Sequence, residues 1–221
     1  MIAVAAFLLA FPALFSIVNP IGAAFIFNEA TSGFSAEERA NLSGRVAFYS
    51  LITMVTALWG GAYVLNFFGI SLGALRIAGG FVVALRSWEM LMAPERHEER
   101  KTAQATPSGQ AAMDMAFFPL TMPFTAGPGT ISVAISLGAE RPASGLGLVE
   151  FFGGATAATV AISALIWIAY RSADRVANML GPSGRQVVGR MSAFLLLCIG
   201  VQILITGVED VVAGMMGTRA P

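Results

Sequence analysis

Apolar residues run together in this chain in blocks of about twenty or more, and the polar residues gather between them. Blocks long enough to cross ~30 Å of hydrocarbon as a helix fall at about 3–27, 46–67, 70–92, 115–138, 148–170 and 190–213. None alternates apolar and polar residues as a barrel strand does, and an open sheet edge would leave its backbone groups unsatisfied in lipid. The pattern predicts an all-α membrane protein with six transmembrane helices. The first block begins at Ile2 with no Lys or Arg before it and no cleavage site after it, so it is expected to be retained as a span.

The polar segments add local detail. Ser35-Ala36-Glu37-Glu38 has the form of a capping box, which predicts a short interfacial helix leading into the second span. Residues 93–112 are polar, contain two prolines and read as a mobile cytoplasmic loop. They separate one half, 1–92, from the other, 113–221, within a single membrane domain. Positive charge orients the spans. With the N-terminus outside, the inner side receives Arg39, Arg45, Arg96, Arg100, Lys101, Arg171, Arg175, Arg185 and Arg190, and the outer side only Arg141 and Arg219. Six spans then place both termini outside, in a cell inner (plasma) membrane.

Composition narrows the function classes. Hydrophobic residues make up 56% of the chain, charged residues 12%, and mean hydropathy is +0.74, whereas a soluble domain carries roughly a quarter charged. Net charge is zero, which gives no field for nucleic acid. The lone Cys198 excludes an internal disulfide framework. The only histidine, His97, lies in the polar loop and has no second histidine to form a zinc site or a Ser–His pair within the spans. An enzyme is not expected, nor a cofactor or metal.

The two halves echo one another. Leu75-Arg76-Ile77-Ala78-Gly79 aligns with Gly189-Arg190-Met191-Ser192-Ala193, each arginine followed by an apolar residue and two small ones. Phe11-Pro12 matches Phe118-Pro119, and Asn19-Pro20-Ile21-Gly22 and Gly127-Pro128-Gly129-Thr130 follow at nearly equal distances. Three spans per half is an odd number, so the second half enters the membrane reversed. The expectation is a 3+3 inverted-topology repeat with a broken first helix in each half, as in many secondary transporters.

The chemistry is expected at those breaks. Proline removes a backbone donor and frees carbonyls at membrane depth, where unsatisfied groups are costly. By ~1.5 Å per residue both breaks fall near mid-membrane, from opposite faces. A half-helix starting after each would aim its positive end at a carboxylate. Freed carbonyls, the Asn19 amide and the hydroxyls of Thr121, Thr125 and Thr130 suit an ammonium group or small cation. The candidate substrate-binding set is therefore Asn19, Pro20, Gly22, Thr121, Thr125, Gly127, Pro128, Gly129 and Thr130, for a small zwitterionic solute. Arg76 and Arg190, the repeat-related pair, are candidates for gating or for anchoring at the headgroups.

Three phrases carry a family resemblance: Asn19-Pro20-Ile21-Gly22; Phe68-Gly69-Ile70-Ser71 followed by Arg76-Ile77-Ala78-Gly79-Gly80; and Met122-Pro123-Phe124-Thr125-Ala126-Gly127-Pro128-Gly129-Thr130. Their order and spacing over nearly the whole chain resemble the MarC family, also called the neutral amino acid transporter family. The resemblance implies a six-span inner-membrane protein and, for some members, transport of alanine or glycine. A further similarity to LysE-type exporters implies the three-plus-three inverted fold. Phe25 departs from the pattern, where many members carry proline.

Glu89, Asp114, Glu150, Glu209 and Asp210 all sit near span ends, so the spans hold no evident proton relay. Coupling to sodium, to protons, or to neither stays open. Gly69-x-x-x-Gly73 and the doublets Gly60-Gly61, Gly79-Gly80 and Gly153-Gly154 would permit close helix contact within the chain or in a homo-oligomer. The leading expectation is a carrier working by alternating access around the two breaks. The alternatives are a non-transporting membrane scaffold or regulator, and an exporter of other small molecules.

Overall fold

A computed structural model describes residues 1–31, 33–92, 115–142 and 145–217. The loop expected at 93–112, with His97, lies outside them. The described residues form helices and turns without a strand. In order they are α1 (Ile2–Val18), α2 (Pro20–Ala30), α3 (Ala36–Phe68), α4 (Leu72–Met92), a π-helical segment (Ala116–Thr125), α5 (Pro128–Ala139), α6 (Leu146–Arg171) and α7 (Ala173–Gly217). Among the described residues, four stretches are long and apolar enough to cross a membrane: Ile2–Asn28, Ala36–Phe68, Leu146–Arg171 and Val187–Met216. The shorter α5 is apolar too, while α4 carries Arg76, Arg86 and Glu89.

Local chemistry sets the ends. The Ser35 hydroxyl accepts the Glu38 N–H at 3.3 Å and the Glu38 carboxylate accepts the Ser35 N–H at 2.8 Å, so the capping box forms. The helix it starts does not stop at the interface. It runs unbroken into the second span, because residues 36–68 contain no proline to interrupt it. Gly69 ends it in the left-handed conformation (φ 65°), with Gly69 N–H to Asn66 C=O at 3.2 Å and Ile70 N–H to Leu65 C=O at 2.9 Å. That role removes Gly69 from the packing pattern expected of it. In α7, Gly181 (φ 65°, ψ −179°) kinks the chain and sets off a short leading piece.

Contacts fix directions. Trp59 donates to Thr156 Oγ1 at 3.0 Å and stacks on Phe152, while Arg141 lies over Tyr63, so α3 and α6 run antiparallel. The chain's start meets Glu150 at 3.7 Å, and Arg76 of α4 meets Asp210 of α7 at 2.6 Å. The starts of α1, α4 and α6 and the ends of α3, α5 and α7 therefore share one face. On the other face the end of α2 meets the start of α7, through Asn28 Nδ2 donating to the Ala173 carbonyl at 3.4 Å, and Arg39 of α3 pairs with Asp174.

The core is built by α1, α2, α3, the π-helical segment, α5 and α6, around Leu14, Phe27, Val46, Met54, Leu120, Ile162 and Ile166. Its packing is reciprocal between the halves. The contact of α1 with α6 is matched by contacts of α3 with the π-helical segment and α5; the contact of α2 with α7 is matched by that of α5 with α4. The pairs α3–α6 and α4–α7 also touch.

Helices in lipid associate through close fit, since the surrounding tails are as apolar as the helices. The tightest fit is between α4 and α7. A Cβ on Gly80 would lie 2.6 Å from the Gly200 carbonyl oxygen, and one on Gly207 would lie 2.8 Å from that of Gly73. Gly73 and Gly80 are seven apart, as are Gly200 and Gly207, so the helices meet backbone to backbone two turns apart. In each of the other doublets one glycine packs and one is open: Gly61 against Ile135 and Gly154 against the Ala3 carbonyl, with nothing near Gly60 or Gly153. Gly80→Ala is expected to destabilise the protein by roughly 1–3 kcal/mol through overpacking, seen as a lower midpoint of thermal unfolding in detergent. Gly60→Ala should leave the midpoint unchanged or slightly raised.

Candidate functional site

The first break is resolved by one residue. Asn19 adopts φ 43°, ψ 65°, a conformation that asparagine tolerates better than most side chains. Its N–H donates to the Phe15 carbonyl at 2.9 Å and ends α1. Its carbonyl accepts the Ala23 N–H at 2.9 Å, and its Oδ1 accepts the Gly22 N–H at 3.2 Å, which starts α2. Pro20 fits the first helical position because its missing N–H is not needed there. The same missing donor leaves the Ser16 carbonyl without its helical partner. Pro20 is fully buried and Asn19 half-buried.

The second break is spread over ten residues. Phe118 (φ −126°, ψ 120°) and Met122 (φ −108°, ψ 121°) are extended, and each precedes a proline, which disfavours helical geometry in the residue before it. Gly127, before Pro128, is extended as well (φ −77°, ψ −173°). Threonines repair the loosened ladder. Thr121 Oγ1 donates to the Ala116 carbonyl at 2.7 Å, Thr125 Oγ1 to Leu120 at 2.7 Å and Thr130 Oγ1 to Thr125 at 3.5 Å, always five residues back. The Ala126 N–H follows the same step to Thr121 at 2.9 Å. The three hydroxyl protons are thereby engaged, and lone pairs remain as acceptors. Among the described residues no side chain caps Gly127, so the positive end of α5 has no side-chain acceptor there. Gly127, Gly129 and Thr130 are buried there, while Pro128 is exposed.

The two breaks come together. A Cβ on Gly129 would lie 3.3 Å from Ile17 Cδ1, two residues before Asn19, and would also run into Val83 of α4. One on Gly22 would lie 2.7 Å from Ser192 Cβ of α7, and one on Gly79 would lie 2.6 Å from Ser132 Cβ of α5. Each half-helix thus seats on the small pair that follows the arginine of the opposite half. Among the described residues, a cavity of ≈190 Å³ beside Asn66 and Arg141 and one of ≈270 Å³ beside Ser71 and Asp210 lie towards the face with the termini.

Arg76 does not point into the breaks. Its Nη1 donates to Asp210 at 2.6 Å, its Nη2 to Glu140 at 3.0 Å and its Nε to Ser136 Oγ at 3.3 Å. Arg190 is exposed on α7.

The chain matches the profile of the MarC family integral membrane proteins over residues 4–212. It belongs to the MarC family. Among relatives named inner membrane protein MarC, that of Citrobacter koseri is 33% identical over 207 residues, covering 90% of this chain and 92% of the relative. That of Salmonella typhimurium is 32% identical with the same coverage, and that of Escherichia coli 30% identical over 203 residues. No solved structure matches the chain. Membership places this MarC-family chain in a lipid bilayer.

Three residues at this MarC-family site escape a reading of the motifs. Ser192 could have been found, since it is one of the small pair aligned by the repeat; Ser132 sits in an unremarkable apolar run. Tyr170, which no motif singles out, is buried, stacks on Phe27 of α2 at 4.5 Å and lies 2.7 Å from Thr125 Oγ1. The proton of Thr125 goes to Leu120, so Tyr170 is the donor and ties both half-helix regions to α6. Tyr170→Phe, which keeps the stack, should cost about 0.5–1.5 kcal/mol, and Tyr170→Ala about 3–5 kcal/mol as for other buried aromatics. Unfolding in detergent would measure both.

Proposed function

We propose that this MarC-family chain is a secondary transporter of small zwitterionic solutes, of the class of alanine and glycine. It exposes a site between the two breaks to each side of the inner membrane in turn. Its spans number six, in two inverted halves of three, with α1–α2 and the π-helical segment with α5 as the broken first spans. Both termini face outward. The observation that carries the reading is the reciprocal seating of the half-helices: Gly22 of one half on Ser192 of the other, and Ser132 of the second half on Gly79 of the first. A two-fold axis in the membrane plane requires such exchanged contacts, and unrelated helices have no reason to make them.

The chemistry of the ligand follows from the two ends at the breaks. The first turn of α5, without a side-chain cap, favours a carboxylate, and the Ser16 carbonyl released by Pro20, with threonine lone pairs, favours an ammonium group. A molecule carrying both, with little bulk, fits a seam that glycines line. In this conformation the glycines at both breaks are tightly covered, as in a carrier closed to both sides. The same covering favours a second reading, a scaffold that moves nothing.

Counterflow of labelled alanine and glycine in proteoliposomes separates the two. The carrier reading expects exchange above protein-free liposomes, reduced roughly tenfold or more by Gly22→Ala or Gly129→Ala, equivalent to about 1.4 kcal/mol of lost fit. Folded protein without exchange across a panel of neutral amino acids would leave the scaffold. Orientation has its own test. Alkaline phosphatase fused after residue 217 should be active in cells, and the same fusion after residue 92 inactive.

A further inference from the structure

The glycine-lined contact between α4 and α7 divides the molecule mechanically. Gly73, Gly80, Gly200 and Gly207 leave the two backbones in contact, so neither helix can slide without collision. The seam between this pair and the rest runs along α5 and α2: Gly79 on Ser132, Val83 on Gly129, and Ser192 on Gly22. The Ser132 hydroxyl donates across it to the Leu75 carbonyl at 3.3 Å. At the opposite face the leading piece of α7, before the Gly181 kink, is held to α2 and α3 by Ala173 and Asp174. The pair therefore consists of α4 and the part of α7 after Gly181.

Arg76 stands where the seam reaches the face with the termini. Its bonds are of two kinds. That to Asp210 stays inside the pair; those to Glu140 and Ser136 cross the seam to the end of α5. We propose that α4 and α7 move as one body, that the Arg76–Glu140 and Arg76–Ser136 bonds latch it against α5, and that Asp210 is a positioning residue that holds the guanidinium in place. This rests on the carrier reading for its purpose, since opening the latch would uncover the breaks from that side. The geometry makes Arg76 a gate without requiring it to touch the solute.

Two carboxylates on one arginine give the test its resolution. In a Cys198→Ser background, nitroxide labels at Leu85 and Val212 report distance within the pair, and labels at Leu85 and Ile52 report distance across the seam. All three positions are exposed. Glu140→Gln should raise the population of a longer cross-seam distance roughly fivefold, the size of one partly exposed ion pair. Asp210→Asn should raise it by a smaller factor, because Arg76 keeps Glu140 but loses the carboxylate that holds its guanidinium in place. The distance within the pair should stay single in both variants. The proposal is overturned if Glu140→Gln leaves the cross-seam distance unchanged, if Asp210→Asn opens the seam equally, or if the distance within the pair changes. Distances do not depend on transport: seam opening without counterflow would remove the carrier reading and leave the latch, and counterflow without seam opening would remove the latch.

Discussion

A peptide group without a hydrogen-bond partner costs several kcal/mol in hydrocarbon, and proline creates such groups wherever it interrupts a helix. The rest of the structure answers that constraint. At Asn19 a single residue bends into the left-handed region and offers its backbone and side chain to both neighbouring helices. Between Ala116 and Ala126 the answer is collective, with threonine hydroxyls and a backbone N–H reaching five residues back. Both solutions need surroundings that keep them dry and fixed. The bundle supplies these through Leu14, Ile17 and Tyr170, all buried beside the breaks.

Much of this was legible in the chain because it depends on neighbours in sequence. Apolar run length shows the helices, Ser35 and Glu38 show where α3 begins, and Pro20, Pro119, Pro123 and Pro128 each mark a departure at the residue before, whereas Pro12 lies inside a continuous α1. The aligned Arg76 and Arg190 stand beside the small pairs on which the half-helices seat, but the alignment alone does not show that use. What was hidden depends on distant partners. Nothing near Arg76 announces Glu140 or Asp210, and nothing near Tyr170 announces Thr125 and Phe27. Gly69 and Gly73 show a different limit: their spacing suits a packing face, but Gly69 lies at the end of α3 and Gly73 in the next helix. The seven-residue spacing from Gly73 to Gly80 is the one that packs, and it gains meaning only opposite Gly200 and Gly207.

The charges on α4 become intelligible through the same geometry. A helix with Arg76, Arg86 and Glu89 is a poor candidate for lipid on all sides. Here Arg76 is enclosed by Asp210, Glu140 and Ser136, and Arg86 pairs with Glu89 at 2.9 Å and lies 5.2 Å from the Phe124 ring. Backbone contact with α7 secures the helix along its middle, the polar partners of Arg76 secure one end, and at the other Arg86 lies over the Phe124 ring.

The unlike construction of the two breaks has a mechanical consequence. Asn19 is one stiff knuckle, so any swing of α2 relative to α1 must pass through a single pair of dihedral angles. The π-helical segment distributes strain over ten residues whose bonds already span five positions and can shorten to four one at a time. The molecule thus pairs a pivot with a spring, and a bending load shared by both would be absorbed first in the threonine-rich stretch.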